Sequence, residues 1–128
     1  QLKNHKVKVN GKSFFLEEHS DPLEDSYLWA YKVIIKNIGI KTVKLISRHW
    51  KIIDANGFQK EVTGDGVVGE QPVLKPGESF EYTSGTPLNT SSGLMHGSYQ
   101  MRYEDGSNFE VQIPAFSLDI PNQENKYN

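Results

Sequence analysis

The sequence predicts an all-β fold, a sandwich of two antiparallel sheets with about seven to eight strands, in preference to a barrel. Two observations predict it. Apolar and polar residues alternate in run after run, so each run buries one face. No segment keeps a helical period over ten residues, and turn residues separate the runs at intervals of roughly 8–12 residues. The 128 residues have the length of one domain, expected over 1–128, with a polar, disordered tail at 121–128.

Four segments of the N-terminal half are predicted as strands or strand pairs. Residues 7–18, interrupted by Asn10-Gly11, form either a pair of strands or one bent edge strand. Large side chains occupy every odd position of residues 27–35, which indicates a strand with one buried face. A long strand follows at residues 43–54, and Asn56-Gly57 then predicts a hairpin to a returning strand at residues 58–63.

Three shorter alternating runs complete the predicted sheets, at residues 80–84, 99–103 and 109–113. Asp105-Gly106 is a turn signal between the last two runs, which therefore form a C-terminal hairpin. Turn or loop chemistry is expected at residues 75–77, 85–87 and 91–93, where Gly, Pro, Ser and Thr are concentrated.

Composition excludes several classes of function. The chain has 14 basic and 16 acidic residues, a net charge of −2, so no strong basic field favours a nucleic-acid partner. It has no cysteine and its four histidines lack metal-site spacing, so neither a metal site nor a cofactor is expected. Its apolar runs are far shorter than the roughly 20 residues of a membrane helix, and the first residues lack the apolar core of a secretory signal.

The most conspicuous motif is Gly64-Asp65-Gly66-Val67-Val68-Gly69, which has the spacing of a dinucleotide-binding turn. Such a turn needs a helix after it, and the following prolines at 72 and 76 argue against one. Two interpretations remain. The loop either presents backbone N–H groups to a phosphate-like anion or needs its glycines for positive φ and close packing.

A second candidate site is Arg48-His49-Trp50. On a strand, Arg48 and Trp50 share one face and His49 takes the other. Arg48 could bind a carboxylate or phosphate, or form an internal ion pair. His49 could titrate or bind a metal, or be a satisfied polar group, while Trp50 fills the core.

No catalytic constellation is found in the sequence, so the protein is predicted not to be an enzyme. Its serines are not in a nucleophile elbow, and a hydrolase of phosphoanhydrides would need a cluster of metal-binding carboxylates that the spacing does not provide. Exposed aromatic residues would favour protein binding, and Phe58, Tyr82 and Phe116 are the candidates.

The chain resembles the ApaG family over essentially its whole length. The matching segments are SRHWKIID at 47–54, EVTGDGVVGEQP at 61–72, LKPGE at 74–78, FEYTSG at 80–85, GLMHGSY at 93–99 and IPAF at 113–116. The resemblance implies a fibronectin type III-like or immunoglobulin-like sandwich and a small bacterial cytoplasmic protein. It also implies a link by name to cobalt and magnesium efflux and resistance. The family has no established catalytic activity.

Two functions follow from the residues and the resemblance together. The first is a non-enzymatic binding module with a protein partner, as eukaryotic members of the family imply; a homo-oligomer is the other assembly considered. The alternative is binding of phosphate, pyrophosphate or a nucleotide. It would use Gly64, Gly66 and Gly69, which match the family's glycine loop, with Arg48 or Lys75 as charge partners.

Overall fold

The computed structural model describes residues 7–120, which form eight strands and two short 3-10 helices. The 3-10 helices, Glu17–His19 and Pro22–Glu24, lie between the first two strands. The strands are β1 Val7–Phe15, β2 Tyr27–Asn37, β3 Val43–Asp54, β4 Gln59–Asp65, β5 Val73–Leu74, β6 Ser79–Leu88, β7 Gly93–Tyr103 and β8 Asn108–Leu118. The tail predicted at 121–128 lies outside the described residues.

The strands form two antiparallel sheets, which confirms the predicted fold class. A three-stranded sheet has the order β1-β2-β6, and a five-stranded sheet has the order β4-β3-β7-β8, with the short β5 also pairing with β3. The inward residues of β2 are fully buried at Trp29, Val33 and Ile35, as the alternation predicted. None of the described helices is long and apolar enough to cross a membrane.

One side of the sandwich is closed where β1 meets β8. Ser13 Oγ donates a hydrogen bond to the carbonyl of Ser117 at 2.7 Å. The ring of Phe116 lies so close to Gly11 that an added Cβ would be 2.6 Å from it. This contact explains a glycine in mid-strand: β1 runs through Asn10-Gly11 as one edge strand, and the alternative of a strand pair is wrong.

The prediction of a loop at residues 85–87 is also wrong, because β6 continues through these residues. Ala30 pairs with Gly85 and Leu28 with Pro87 in the ladder between β2 and β6. Proline is tolerated there because β6 is an edge strand. Every second backbone N–H of an edge strand points away from the neighbouring strand and needs no ladder partner. Pairing with β2 therefore overrides the local turn propensity of Gly85-Thr86-Pro87.

A β-bulge at Ile46 reverses the alternation of β3. Leu45 pairs with Met101, but Ser47 pairs with Gln100, so Ile46 is the extra residue. Before the bulge the inward residues are at odd positions, and after it they are at even positions, beginning with Arg48. The side chain of Arg48 consequently lies between the two sheets.

Candidate ligand site in the cleft between the sheets

A cleft of about 230 Å³ lies between the sheets on the side where β4 and β6 form the edges, away from the β1–β8 contact. Within residues 7–120, no aspartate or glutamate lines it. Its walls combine aromatic rings, two cations and hydroxyl groups, contributed by Tyr31, Trp50 and Tyr82, by Arg48 and Lys60, and by Ser84 and Thr86. Aliphatic side chains complete the lining, so the cleft is positively charged and partly aromatic.

Arg48 is the half-buried cation of this cleft. Its Nη1 donates to the carbonyl oxygens of Asp65 at 3.1 Å and Gly66 at 2.9 Å. In the part of the chain that the structure describes, no carboxylate lies within ion-pair distance of it, so the internal ion pair considered for Arg48 is not formed. Two backbone bonds thus fix the guanidinium, and its other nitrogens make no hydrogen bond with described residues.

The glycines of the 64–69 loop each have a different environment. Gly64 faces Arg48 across the ladder, and an added Cβ would lie 2.9 Å from the guanidinium nitrogens. Gly66 has φ +63°, and a Cβ there would overlap the carbonyl oxygen of Glu70. Gly69 has φ +82° but open space around it. Packing and backbone conformation therefore account for glycine at these positions.

Some backbone N–H groups in and next to the loop are already used. Gly66 donates to Ile46 at 2.8 Å, while Val67 and Glu70 exchange bonds of 2.8 and 2.9 Å. Val67 is fully buried, so the loop is packed onto the core. In the part of the loop that follows β4, the N–H groups of Val68 and Gly69 make no hydrogen bond with residues 7–120, so both are available to an anion.

Alanine at Gly66 and at Gly69 should have clearly different costs. We expect Gly69→Ala to lose about 1–2 kcal/mol, because only the left-handed backbone is penalised. Gly66→Ala adds a clash with the backbone of Glu70 and should lose about 2–5 kcal/mol in total. Urea denaturation of both variants measures the difference, and equal costs would contradict this account of the loop.

A cluster of buried tyrosines adjoins the cleft: Tyr31 and Tyr82 line it, and Tyr99 is hydrogen-bonded to Tyr82. The hydroxyls of Tyr82 and Tyr99 are 2.5 Å apart. Burial raises the pKa of Tyr82 to about 12, although the bond to Tyr99 opposes the shift. Burial also raises the pKa of Tyr99 and, with smaller opposing effects from Ser84 and Arg48, that of Tyr31. All three phenols are therefore neutral at physiological pH and add no negative charge to the cleft.

Two buried polar atoms in the walls are incompletely satisfied. Thr86 Oγ1 makes no hydrogen bond with a residue of the described range 7–120, and Trp50 Nε1 has no hydrogen bond of good geometry there, although it is close enough to the Tyr82 hydroxyl to oppose the rise in the pKa of that group. Buried polar groups are normally satisfied, because an unmade bond costs about 1–3 kcal/mol. The walls thus hold hydrogen-bonding capacity that these residues leave unused.

The remaining sequence candidates lie elsewhere. His49 is on the opposite face from Arg48, as predicted, where its Nε2 is 2.9 Å from Glu61 and its hydrogen bond lowers the pKa of that carboxyl. Lys75 lies in the turn after β5 and does not line the cleft. Phe58 is exposed, but the prediction of exposed Tyr82 and Phe116 is wrong, because both pack against Tyr31 between the sheets.

Comparisons with known proteins agree with one another. A family model described as the ApaG domain matches residues 17–103. Proteins named Protein ApaG from Brucella canis and Brucella abortus are 56% and 55% identical over 95% of this chain and 94% of their own. The crystal structure of a Bordetella pertussis protein described as ApaA has a TM-score of 0.88 and 47% identity, covering 90% of this chain and 94% of that one. None of these names refers to an enzyme activity.

Proposed function

The chain belongs to the ApaG domain family, and from that premise we propose that it is a non-enzymatic binding module whose partner is a protein. One observation supports this above others: Arg48 lies half-buried in an aromatic cleft with no carboxylate partner among residues 7–120. An aspartate or glutamate of the partner, followed by an apolar residue, would complement both the cation and the rings.

The arrangement of Arg48 favours a specific contact over a loose one. The carbonyls of Asp65 and Gly66 hold one end of the guanidinium, so little side-chain freedom is lost when the other end binds a carboxylate. Partial burial in the cleft reduces solvent screening, which makes the pair stronger than an ion pair on an open surface. The partner would be cytoplasmic, and any part in cobalt and magnesium efflux would be played through it.

Binding of phosphate, pyrophosphate or a nucleotide at the Gly64–Gly69 loop is the second candidate. It is supported by the available N–H groups of Val68 and Gly69 and by the proximity of Arg48 to Gly64 and Gly66. It is weakened by the hydrogen bonds that already engage Gly66, Val67 and Glu70. The site offers two amides and one cation, fewer groups than a phosphate-binding nest usually aligns.

Selection from a random peptide library on the immobilised protein tests the first candidate. We expect the selected peptides to share an acidic residue followed by an apolar or aromatic one. Arg48→Gln should weaken the best peptide at least about tenfold, and Arg48→Lys should restore only part of the loss because it lacks the planar fork. Lys44→Gln, on the solvent-facing side of β3, is the matched control. Unchanged affinity in a folded Arg48→Gln protein would refute the proposal.

Calorimetry with pyrophosphate and with diadenosine tetraphosphate tests the second candidate. Binding of either compound that disappears in Arg48→Gln, together with a peptide selection that enriches no acidic motif, would favour the phosphate site over the peptide site. If neither compound produces heat at millimolar concentration, the second candidate is eliminated, and the peptide selection decides the first one independently.

A further inference from the structure

The outer face of the three-stranded sheet carries four lysines, Lys8 and Lys12 on β1 and Lys32 and Lys36 on β2, and we call it the lysine face. The register places Lys8 directly opposite Lys36 and Lys12 directly opposite Lys32. Side chains opposite each other on one face of an antiparallel pair have Cβ atoms about 4.5–5.5 Å apart, so like charges there destabilise the sheet. Two such pairs on one ladder are an arrangement that stability alone does not favour.

Little negative charge balances this face. Glu81 of β6 forms an ion pair with Lys32 at 2.9 Å, and it is the one acidic residue on the outward positions of the three strands. Lysines on an edge strand can prevent unwanted strand pairing, and this accounts for Lys8 and Lys12 on β1. It does not account for Lys32 and Lys36, because β2 is the central strand of its sheet.

Apolar side chains lie among the lysines. Ile34 stands on β2 between the two opposed pairs and is 36% exposed, and Phe14 at one end of β1 is 42% exposed. Lys12 Nζ lies 5.5 Å from the centre of the Phe14 ring, in cation–π contact. The lysine face therefore combines positive charge with an apolar centre.

We propose that the lysine face binds an acidic, extended segment of a partner protein. The two lysine pairs are four residues apart along the strands, which at 3.3–3.4 Å per residue is about 13 Å. A segment in β conformation matches them with carboxylates at positions i and i+4 and an apolar residue at i+2, because these three side chains share one face. The residue at i+2 then covers Ile34.

Nucleic acid and anionic lipid fit the lysine face less well. The whole chain carries a net charge of −2, so long-range attraction for a polyanion is weak and the contact depends on local pairs. Arginine is absent from the outward positions of these three strands, and Lys12 covers the ring of Phe14 that could otherwise stack on a base. A protein segment with spaced carboxylates can also bury an apolar side chain against Ile34, and a phosphate backbone has no apolar group to place there.

Two labelled peptides of equal composition test the proposal by fluorescence anisotropy. One has glutamates at i and i+4 around a leucine at i+2, repeated twice, and the other has its glutamates in one block. We expect the spaced peptide to bind at least about fivefold more tightly and to weaken as NaCl rises from about 50 to about 300 mM. The double variant Lys32→Gln/Lys36→Gln should lose at least about tenfold in affinity.

Matched controls separate this surface from the Arg48 cleft and from general charge. Lys44→Gln/Lys75→Gln removes two exposed lysines elsewhere and should leave binding of the spaced peptide unchanged. Arg48→Gln should also leave it unchanged, so failure here and failure of the cleft proposal are distinguishable. Equal binding of both peptides, equal loss in the control double variant, or tighter binding of an oligothymidine or of phosphatidylglycerol vesicles would overturn the proposal.

Thermal unfolding supplies a readout that needs no ligand. Lys36→Gln removes the repulsion with Lys8 and should raise Tm by about 1–4 °C at low salt, with a smaller rise at high salt. The variant therefore remains folded in the binding assay. A lower Tm would show that the opposed lysines do not repel each other and would overturn the proposal.

Discussion

Replacing Trp50 by alanine is expected to lower the free energy of unfolding by about 3–5 kcal/mol, because the indole is 1% exposed and a cavity would remain. The ring makes edge contacts with Tyr31 of the three-stranded sheet and with Tyr99 and Phe116 of the five-stranded sheet, at centroid distances of 5.4, 6.4 and 5.9 Å. Trp50 thus joins the two sheets. Guanidinium denaturation followed by far-ultraviolet circular dichroism measures the loss.

Two comparison variants make this result specific. Phe58→Ala, at a position that is 75% exposed, should change stability by no more than about 0.5 kcal/mol. Trp50→Phe keeps an aromatic ring in the core and leaves a much smaller cavity, so it should cost clearly less than Trp50→Ala. A Trp50→Ala loss as small as that of Phe58→Ala would mean that the ring does not join the sheets.

Stability should fall steeply as the pH rises above about 10. The unfolded chain ionises Tyr82 at the ordinary tyrosine pKa of 10.0, whereas the folded protein holds the proton until a pKa of about 12. Between these values the native state binds more protons than the unfolded state, so the free energy of unfolding falls by about 1.4 kcal/mol per pH unit for this group. Tyr82 alone then contributes a loss of about 2 kcal/mol by pH 12, and Tyr99, whose pKa is raised further by burial and by Tyr82, steepens the slope.

Urea denaturation from about pH 8 to about pH 12 measures this slope. The double variant Tyr82→Phe/Tyr99→Phe removes both phenols together and leaves neither hydroxyl without its partner, so its stability should depend much less on pH in this range. Phenolate absorbance of the folded wild type should show late titration of the buried tyrosines. A double variant with the wild-type slope would mean that other groups cause the alkaline loss.

Alternation in the sequence was sufficient to predict most of the strands. The predicted bounds of β3 coincide with the observed Val43–Asp54, and the inward set of β2 was correct because each strand buries one regular face. The prediction was wrong where a distant partner decides the conformation. Residues 85–87 have local turn chemistry, yet pairing with β2 keeps them extended. Gly11 is required in mid-strand because the ring of Phe116, more than 100 residues away in the sequence, occupies the space of a side chain.

The candidate site was predicted only in part, for a similar reason. The sequence singled out both Arg48 and the glycines of residues 64–69 as candidates. The ladder between β3 and β4 places Arg48 directly opposite Gly64. The opposite wall, with Tyr31, Ser84 and Thr86, comes from the other sheet, and its position depends on the order of strands in both sheets. No local pattern specifies that order.

The bulge at Ile46 sets the phase of β3, and this limits how the chain can change in length. Without that one residue, the strand would alternate regularly from end to end. Leu45 could then no longer share the inward face with Arg48 and Trp50, so either Leu45 or that pair would turn towards solvent. The carbonyl of Ile46 also accepts hydrogen bonds from Gly66 and from the side chain of Gln71, so the glycine loop would lose its anchor. Among related chains, we therefore expect insertions and deletions in loops such as residues 16–26, and none between Leu45 and Ser47.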